Sequence, residues 1–171
     1  MASLLLLSGV TNSATLPELG KDAIFVATMP LRAKKGPPQL LMSAAYSLNK
    51  WDVKHFMVIV KPSSPPQSQA IVFDFQPRDP EDANVALAAL LGREVPGVVL
   101  TRKLKQLPRN KCWLVGSCDG NAIDIAYKFN DSWQTGLRIG HHDCRDYTNG
   151  LVEYLTGEKC VLERLKRSSL I

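Results

Sequence analysis

Two short runs of apolar residues in the first half of the chain predict neighbouring β-strands. The runs are His55–Lys61 (HFMVIVK) and Ala70–Gln76 (AIVFDFQ). A run that is apolar on both faces, apart from one or two polar residues, is typical of a strand buried within a layered sheet. The residues between the runs include Pro62, Pro65 and Pro66 and several serines, so they predict an exposed connection. Together the two runs predict a β-hairpin.

Other short segments extend this pattern along the chain. Further strands are predicted at Ala23–Thr28, Gly97–Leu104, Cys112–Val115 and Leu137–Ile139. Strands and helical patterns are mixed throughout, and no repeat of fixed period is present. With 171 residues, the chain has the length of one ordinary domain. We therefore expect a single α+β domain over residues 21–171.

Helix start and stop signals occur between and after these strands. Asp79 is placed to cap a helix whose first position holds Pro80, and Gly92 is placed to end that helix. The apolar residues of Asn121–Asn130 fall on one stripe, which predicts a second helix. Two further segments with helical patterns are Gln39–Leu48 and Val161–Lys166.

The N-terminal residues 1–20 differ in composition from the rest of the chain. The first seventeen residues carry no charged side chain, which does not fit a secretory signal with its positive start. We therefore expect an intracellular protein, in the cytoplasm or nucleus, with residues 1–20 flexible or acting as a targeting segment. The Ser, Thr and Ala content of this region also fits a transit peptide for the chloroplast or another organelle. Because the early apolar run Leu4–Leu7 is far too short to cross a bilayer, we expect no transmembrane segment.

Charge and cysteine spacing narrow the classes of partner. The formal net charge is +5, and part of it comes from a basic stretch that contains Arg102, Lys103, Lys105, Arg109 and Lys111. This basic stretch either attracts an acidic partner or forms a solvated edge. No aromatic residues are interleaved with its charges, so binding of nucleic acid is not expected. The four cysteines form no CxxC pair, which argues against structural zinc and against a disulfide framework.

Cys144 occupies a position that suits a nucleophile. Asp143 is placed to cap a helix that begins at Cys144 and is ended by Gly157. Cys144 also shares the apolar stripe of this helix with Tyr147 and Leu151, so its thiol is expected at the edge of the core. The positive end of the helix favours thiolate over thiol, and its unpaired amides could hold an oxyanion.

His55 and Asp74 are candidates for the base and for the group that orients it. A cysteine nucleophile needs both. Each of the two residues lies in a predicted strand with apolar surroundings, where an unpaired polar group is costly. If they pair, the carboxylate fixes the imidazole tautomer, and the other nitrogen can accept the proton of Cys144. The sequence therefore predicts a catalytic set of Cys144, His55 and Asp74.

The segment around Cys144 resembles a known family. Residues 141–157, HHDCRDYTNGLVEYLTG, are similar to the HNC-x-F-[ST]-N-x-x-x-x-F-L-T-G segment of the PPPDE-type desumoylating isopeptidases. The matching residues are His142, Cys144, Thr148, Asn149, Leu155, Thr156 and Gly157. HFMVIV resembles the strand that carries their catalytic histidine. In the related LRAT-like acyltransferases a polar third residue lies on the strand after the histidine, where Asp74 stands.

The resemblance implies a permuted papain-like fold, in which an antiparallel sheet packs against a cysteine-bearing helix. It also implies a thiol-dependent hydrolase that cleaves an amide or isopeptide bond through a covalent thioester. The substrate would be a protein or a modified protein, and no cofactor is implied. The family's asparagine before the cysteine is Asp143 here, and an acid beside the thiol would oppose thiolate formation. Two alternatives stay open: a catalytically inactive papain-like module that binds a protein, and a lipid acyltransferase or thioesterase.

Other interpretations of the cysteines compete with this one. Gly116–Gly120 (GSCDG) places Cys118 in a G-x-C-x-G step between a predicted strand and a predicted helix, as in a nucleophile elbow with cysteine in place of serine. Cys144 could instead be a buried structural cysteine. A metal site within His141–Cys144 would need a distant ligand, because adjacent side chains on one turn cannot all converge. We expect no metal.

Overall fold

The computed structural model describes residues 20–30, 54–63 and 69–168. In this part of the chain the strands are β1 (Asp22–Pro30), β2 (Lys54–Lys61), β3 (Ala70–Pro77), β4 (Val95–Leu104), β5 (Cys112–Cys118) and β6 (Gly136–Leu137). The helices are α1 (Ala83–Leu90), α2 (Ala122–Ser132), α3 (Cys144–Thr156) and α4 (Val161–Ser168). The described residues are therefore α+β, as predicted.

The strands form one antiparallel sheet in the order β5-β1-β2-β3-β4-β6. The hairpin that the two apolar runs predict is confirmed, with Val58 of β2 opposite Phe73 of β3. On the other side of β2, Met29 of β1 lies opposite His55. β4 and β5 are consecutive in the chain but lie on opposite sides of this central group. The connection between them must therefore cross the sheet.

The other predicted strands are present with different ends. The segments Ala23–Thr28 and Gly97–Leu104 lie within β1 and β4. The strand predicted at Cys112–Val115 is longer than expected, because the residues after it continue to pair with β1. The bounds predicted for Leu137–Ile139 are wrong. Only Gly136–Leu137 pairs with β4, after which an isolated bridge joins residues 138 and 142 and the chain turns toward α3.

The larger core lies between one face of the sheet and the helices. Alternate residues of the central strands, such as Val58 and Phe73, are fully buried there. Helix α3 packs against β1, β2, β3 and β5, and its Tyr147 and Leu151 are also fully buried. Burial of each such side chain stabilises the fold by about 1.5–3 kcal/mol relative to leaving it exposed. This packing holds α3 against the middle of the sheet and thereby positions its N-terminus.

A smaller apolar cluster lies on the opposite face of the sheet. Its buried members are Ala27, Met57, Ile59, Ala70 and Val72. Leu104 at the end of β4 and Leu107 in the connection after it pack against this cluster. The chain segment that crosses between β4 and β5 therefore contributes to covering this face.

The start of α1 corrects one prediction. The helix begins at Ala83, and its N-cap is Asp82, whose carboxylate accepts two amides of the first turn. The predicted cap at Asp79, with Pro80 in the first helical position, is wrong by three residues. Those residues form a turn instead, closed by a hydrogen bond from the Asp82 amide to the Asp79 carbonyl at 3.1 Å. Gly92, with φ of +72°, follows the end of the helix as predicted.

The later helices begin and end close to their predicted positions. Asn121 caps α2, and Asp143 caps α3, whose first residue is Cys144. Gly157, at φ +76°, adopts the left-handed conformation that ends α3. The C-terminal prediction is confirmed by α4.

Two predicted features lie outside the described residues. They are the helix at Gln39–Leu48 and the N-terminal segment as far as residue 19. Of the helices that the structure does describe, none combines the length and the apolar character needed to cross a membrane.

Candidate active site

His55 and Asp74 meet where β2 and β3 lie side by side. The pairing of β2 with β3 reaches Val58 and Phe73, and His55 and Asp74 lie just beyond this pair on their two strands. Nε2 of His55 is hydrogen-bonded to Oδ1 of Asp74. The two residues are only 6% and 1% exposed. The pair therefore satisfies two buried polar groups that would each be costly alone.

The second carboxylate oxygen of Asp74 is bonded to Arg102 of β4. Nη2 of Arg102 donates a hydrogen bond to Oδ2 at 2.7 Å. Leu100 lies opposite Asp74, and Arg102 lies opposite Val72, which places Arg102 on a diagonal from Asp74 on one face of the sheet. In the sequence, Arg102 is only a member of the basic stretch. Its place beside the site becomes visible once the register between β3 and β4 is known.

Cys144 reaches this pair from the N-terminal end of α3. Its thiol is partly buried, and Sγ lies 4.0 Å from the carbonyl oxygen of Lys54, the first residue of β2. The thiol also lies close enough to the imidazole of His55 to be one of the causes that raise the pKa of His55. Because Nε2 of His55 is occupied by Asp74, Nδ1 is the nitrogen left for the thiol. The structure thus brings the three predicted residues together in the order Asp74, His55, Cys144.

The surroundings of His55 favour its protonated form. Burial by itself would lower the pKa of His55, but its hydrogen bond to Asp74, together with its interactions with Cys144, outweighs burial and raises this pKa from 6.5 to about 10. The imidazole is therefore protonated at neutral pH. The arrangement suits a nucleophilic sulfur paired with a group that can later donate a proton.

Asp143, which precedes the thiol, is paired with Arg145. Nη2 of Arg145 donates to Oδ2 of Asp143 at 2.6 Å, and the Gly140 amide donates to the same oxygen at 2.7 Å. Burial acts to raise the pKa of Asp143, but the hydrogen bonds from Arg145 and Gly140 outweigh burial and lower this pKa. The carboxylate is thus ionised, and its charge is balanced within its own turn. The opposition to the Cys144 thiolate that the sequence suggests is correspondingly weaker.

The N-terminal amides of α3 are less available than the sequence suggests. The amides of Arg145 and Asp146 both donate to the Asp143 side chain, as parts of a capping box. Among the described residues, these bonds leave the Cys144 amide as the donor in this turn that has no acceptor. The expected oxyanion site therefore reduces to this one backbone amide, immediately beside the sulfur.

His142 and Asn149, two residues of the motif around Cys144, hold neighbouring segments in place. The His142 ring stacks on Trp133 with centroids 4.4 Å apart, and its Nε2 donates to the carbonyl oxygen of Gln134 at 2.9 Å. Oδ1 of Asn149 accepts the Leu162 amide at 3.1 Å, which fixes the start of α4. These motif residues therefore have packing roles around the cysteine helix.

The competing G-x-C-x-G step carries a thiol without a base. Burial raises the pKa of Cys118, and the charges of Asp22 and Asp119 raise it further. Asp22 lies opposite Cys118 across β1 and β5, whereas Met29 lies opposite His55. Seven residues separate those two positions along β1, a distance of about 23 Å. The other two histidines immediately precede α3, so the elbow interpretation lacks its histidine.

Neither a group of metal ligands in the described residues nor a match to a known protein assigns a further role to this site. In the ranges that the structure describes, no three His, Cys, Asp or Glu side chains are grouped so that they could hold a metal ion. All four cysteines are free thiols. The chain matches no protein-family model, no curated protein and no solved structure. The candidate site is therefore defined by its own geometry.

Proposed function

We propose that this chain is a thiol-dependent hydrolase that cleaves an amide or isopeptide bond through a covalent thioester. The observation that carries the proposal is the imidazole of His55, which is hydrogen-bonded to Asp74 and interacts with the nearby thiol of Cys144. A nucleophile, a base within hydrogen-bond reach and a group that orients the base are the parts that this chemistry needs.

The order of the elements supports a permuted papain-like fold. The strand with the histidine precedes the helix with the cysteine, and α3 packs against an antiparallel sheet. The resemblance of residues 141–157 to the PPPDE-type desumoylating isopeptidases implies the same order. On this basis we infer a protein or modified protein as the substrate.

In the first half-reaction the sulfur of Cys144 attacks the carbonyl carbon of the substrate and a C–S bond forms. The electron pair of the carbonyl moves to its oxygen, for which the amide of Cys144, beside the sulfur, is the proposed donor. When the C–N bond breaks, the imidazolium of His55 donates its proton to the departing nitrogen. The products are a free amine and a thioester on Cys144.

In the second half-reaction the neutral imidazole of His55 removes a proton from a water molecule. The water oxygen attacks the thioester carbonyl, and the C–S bond breaks to release a carboxylic acid. The sulfur departs as thiolate, and His55 keeps the proton that it accepted. The ion pair of the resting site is thereby restored, while Asp74 holds the ring in one orientation throughout.

The pH dependence of alkylation at each cysteine tests this proposal. We expect iodoacetamide to modify Cys144 first, at pH 6–7, well below the pKa of about 8.5 of an ordinary thiol. Peptide mass spectrometry after short exposures gives a rate for each cysteine, with free cysteine in the same solution as the reference. A Cys144 that reacts no faster than the reference at neutral pH would contradict the proposal.

The substrate class has its own test. Ubiquitin-like modifiers that carry an electrophile at the C-terminus should form a covalent adduct with Cys144, and Cys144→Ala should form none. The same modifiers with an ordinary C-terminal carboxylate are the matched control. If Cys144 is reactive but forms an adduct with none of these modifiers, the proposed thiol chemistry stands and the isopeptide substrate is rejected.

The two alternatives give other outcomes in these experiments. A catalytically inactive binding module predicts no early alkylation at Cys144. If the chain is a lipid acyltransferase, fatty acyl thioesters should acylate Cys144. An added amine or hydroxyl compound should then receive the acyl group in place of water.

We also propose that the basic stretch binds an acidic segment of the substrate or partner. Its five basic residues are exposed, although the Arg102 guanidinium is bonded to Asp74, and no acidic residue occurs between Val95 and Cys118. Such binding depends on charge and is screened by salt. We expect the affinity for a glutamate-rich peptide, measured by calorimetry, to fall steeply between low and high salt. Binding that is independent of salt would contradict this assignment.

A further inference from the structure

Asp74 is a buried carboxylate with a charged partner on each oxygen. Its side chain is 2% exposed, yet Oδ1 faces His55 and Oδ2 accepts from Arg102 at 2.7 Å. The Arg102 side chain, by contrast, is 46% exposed, with its guanidinium directed inward onto Asp74. The contact therefore links the exposed basic stretch directly to the innermost group of the site.

The ion pair between Arg102 and Asp74 differs from an ordinary surface pair because it fixes the orientation of a buried carboxylate. Exposed pairs contribute little, because water solvates each partner well when the pair is broken. Here one partner is buried, and a carboxylate out of water needs donors on both oxygens. With His55 as its only partner, the carboxylate could rotate and present either oxygen. The donor on Oδ2 removes that freedom.

We propose that Arg102 is a positioning residue of the site, whose guanidinium holds Oδ2 of Asp74 so that Oδ1 keeps the His55 ring facing Cys144. This inference rests on the proposed function. It makes the site a chain of four groups of alternating charge, from Arg102 through Asp74 and His55 to Cys144. The groups come from three neighbouring strands and one helix, so loss of the outermost member is transmitted to the sulfur.

The charges that face His55 determine whether loss of the Arg102 guanidinium strengthens or weakens proton binding at His55. Asp74 faces it from β3 and Cys144 faces it from α3, while Lys54 precedes it on its own strand. Arg102 acts on His55 only through Asp74. Removal of the guanidinium leaves the charge of Asp74 shared with His55 alone, so the imidazolium is held more tightly while the ring is oriented less well. Proton donation to the leaving group then becomes harder, and the sulfur meets the imidazole less often.

The test compares Arg102→Gln with Lys128→Gln. The control removes one positive charge from an exposed side chain of α2, a helix that contributes no residue to the candidate site. We expect Arg102→Gln to slow alkylation of Cys144 at pH 7 by roughly tenfold, the lower end of the effects seen when an outer-shell partner is lost. Lys128→Gln should stay within about twofold of the wild type, since surface changes of this kind have small effects. Arg102→Lys, which keeps the charge but not the planar fork, should fall between them.

A second readout separates positioning from general loss of stability. In the NMR titration of His55, Arg102→Gln should shift the midpoint to higher pH and Lys128→Gln should leave it in place. In an Asp74→Asn background, Arg102→Gln should have no further effect on the alkylation rate, because the two residues act through one contact. Independent, multiplying effects of the two substitutions would overturn the inference, as would an unchanged His55 midpoint in Arg102→Gln.

The titration also distinguishes failure of this inference from failure of the proposed function. If Cys144 of the wild type is unreactive at neutral pH, the hydrolase proposal is rejected, and the His55 midpoint still reports whether Arg102 acts through Asp74. If Cys144 is reactive and Arg102→Gln matches Lys128→Gln in both readouts, only the role of Arg102 is rejected.

Discussion

Two cysteines lie at opposite ends of the same sheet, and their neighbours give them opposite chemistry. Cys144, at the start of α3, lies beside the imidazole of His55, whose pKa is raised so that it is protonated at neutral pH. Cys118, at the end of β5, is buried beside the carboxylates of Asp22 and Asp119, which oppose thiolate. Both thiols stand next to the start of a helix. Burial and the sign of the nearest charges separate the two thiols, and His55 of β2 and Asp22 of β1 supply part of that charge.

Two buried aspartates, Asp74 near Cys144 and Asp22 near Cys118, also differ in their roles. Asp74 directs an oxygen at His55, and its contacts serve the candidate site. Asp22 accepts the Ala122 amide at 3.0 Å and the Ser63 amide at 2.8 Å. It thereby ties the start of α2 and the end of β2 to β1. A buried aspartate is thus structural at one end of the sheet and positioned for chemistry at the other.

The largest expected effect is the loss of the imidazole. His55→Ala should slow alkylation of Cys144 at pH 7 by roughly 10²–10⁴-fold, the usual contribution of a positioned acid–base group. His141→Ala is the matched control, because His141 is exposed and should leave the rate unchanged. The rate at Cys118 should be the same in all three proteins. If His55→Ala lowers both cysteine rates alike, the two ends of the sheet do not differ as described.

The second prediction concerns stability against pH. His55 has a pKa of about 10 in the folded chain and about 6.5 unfolded, so the folded state binds the proton more tightly. Its contribution to the free energy of unfolding is complete below pH 6.5 and is lost as the pH rises through 10. The slope in that window should approach about 1.4 kcal/mol per pH unit. Urea unfolding of wild type and His55→Gln, measured between pH 6 and 10, should differ by this slope, and parallel curves would contradict it.

Cys118 should stay the less reactive thiol when one nearby charge is removed. Asp119→Asn removes one of the two carboxylates beside Cys118, and burial, the larger cause of its raised pKa, stays in place. We expect alkylation of Cys118 at pH 9 to rise by only about two- to threefold, since Asp119 is 84% exposed and its charge is well screened by water. Glu163→Gln on α4 provides a charge-matched control. A rise that brings Cys118 to the rate of Cys144 would remove the contrast between the two thiols.

The smallest effect is expected at the residue before the nucleophile. Asp143→Asn keeps a good N-cap and supplies the asparagine of the resembling family. Because Arg145 already balances the charge of Asp143, the alkylation rate of Cys144 at pH 7 should change by less than about twofold. The unfolding midpoint, measured beside the rate, shows whether the cap is preserved. A tenfold gain in rate with an unchanged midpoint would show that Asp143 does oppose the thiolate.

Much of the candidate site was accessible from sequence, because its parts obey local rules. The hairpin of β2 and β3 follows from two apolar runs, and the position of Cys144 follows from a cap at Asp143 and a stop at Gly157. The pairing of His55 with Asp74 follows from the cost of leaving either group unpaired in an apolar strand. By contrast, the misplaced start of α1 reflects two aspartates, at 79 and 82, that are equally good caps by local criteria.

The sequence by itself determined which segments are strands and helices in the central part of the molecule, and which residue types could act as nucleophile, base and orienting acid. Periodicity, caps and the cost of buried polar groups act over a few residues, so they can be read along the chain. Only the tertiary structure decided that Arg102 is bonded to Asp74. It also decided that the β1 residues opposite Cys118 and His55 are about 23 Å apart, and that Asp143 already has a cation, Arg145. The first two depend on sheet register and strand order, which arise from contacts between residues far apart in the chain. The third depends on the direction of one side chain, which local rules leave undetermined.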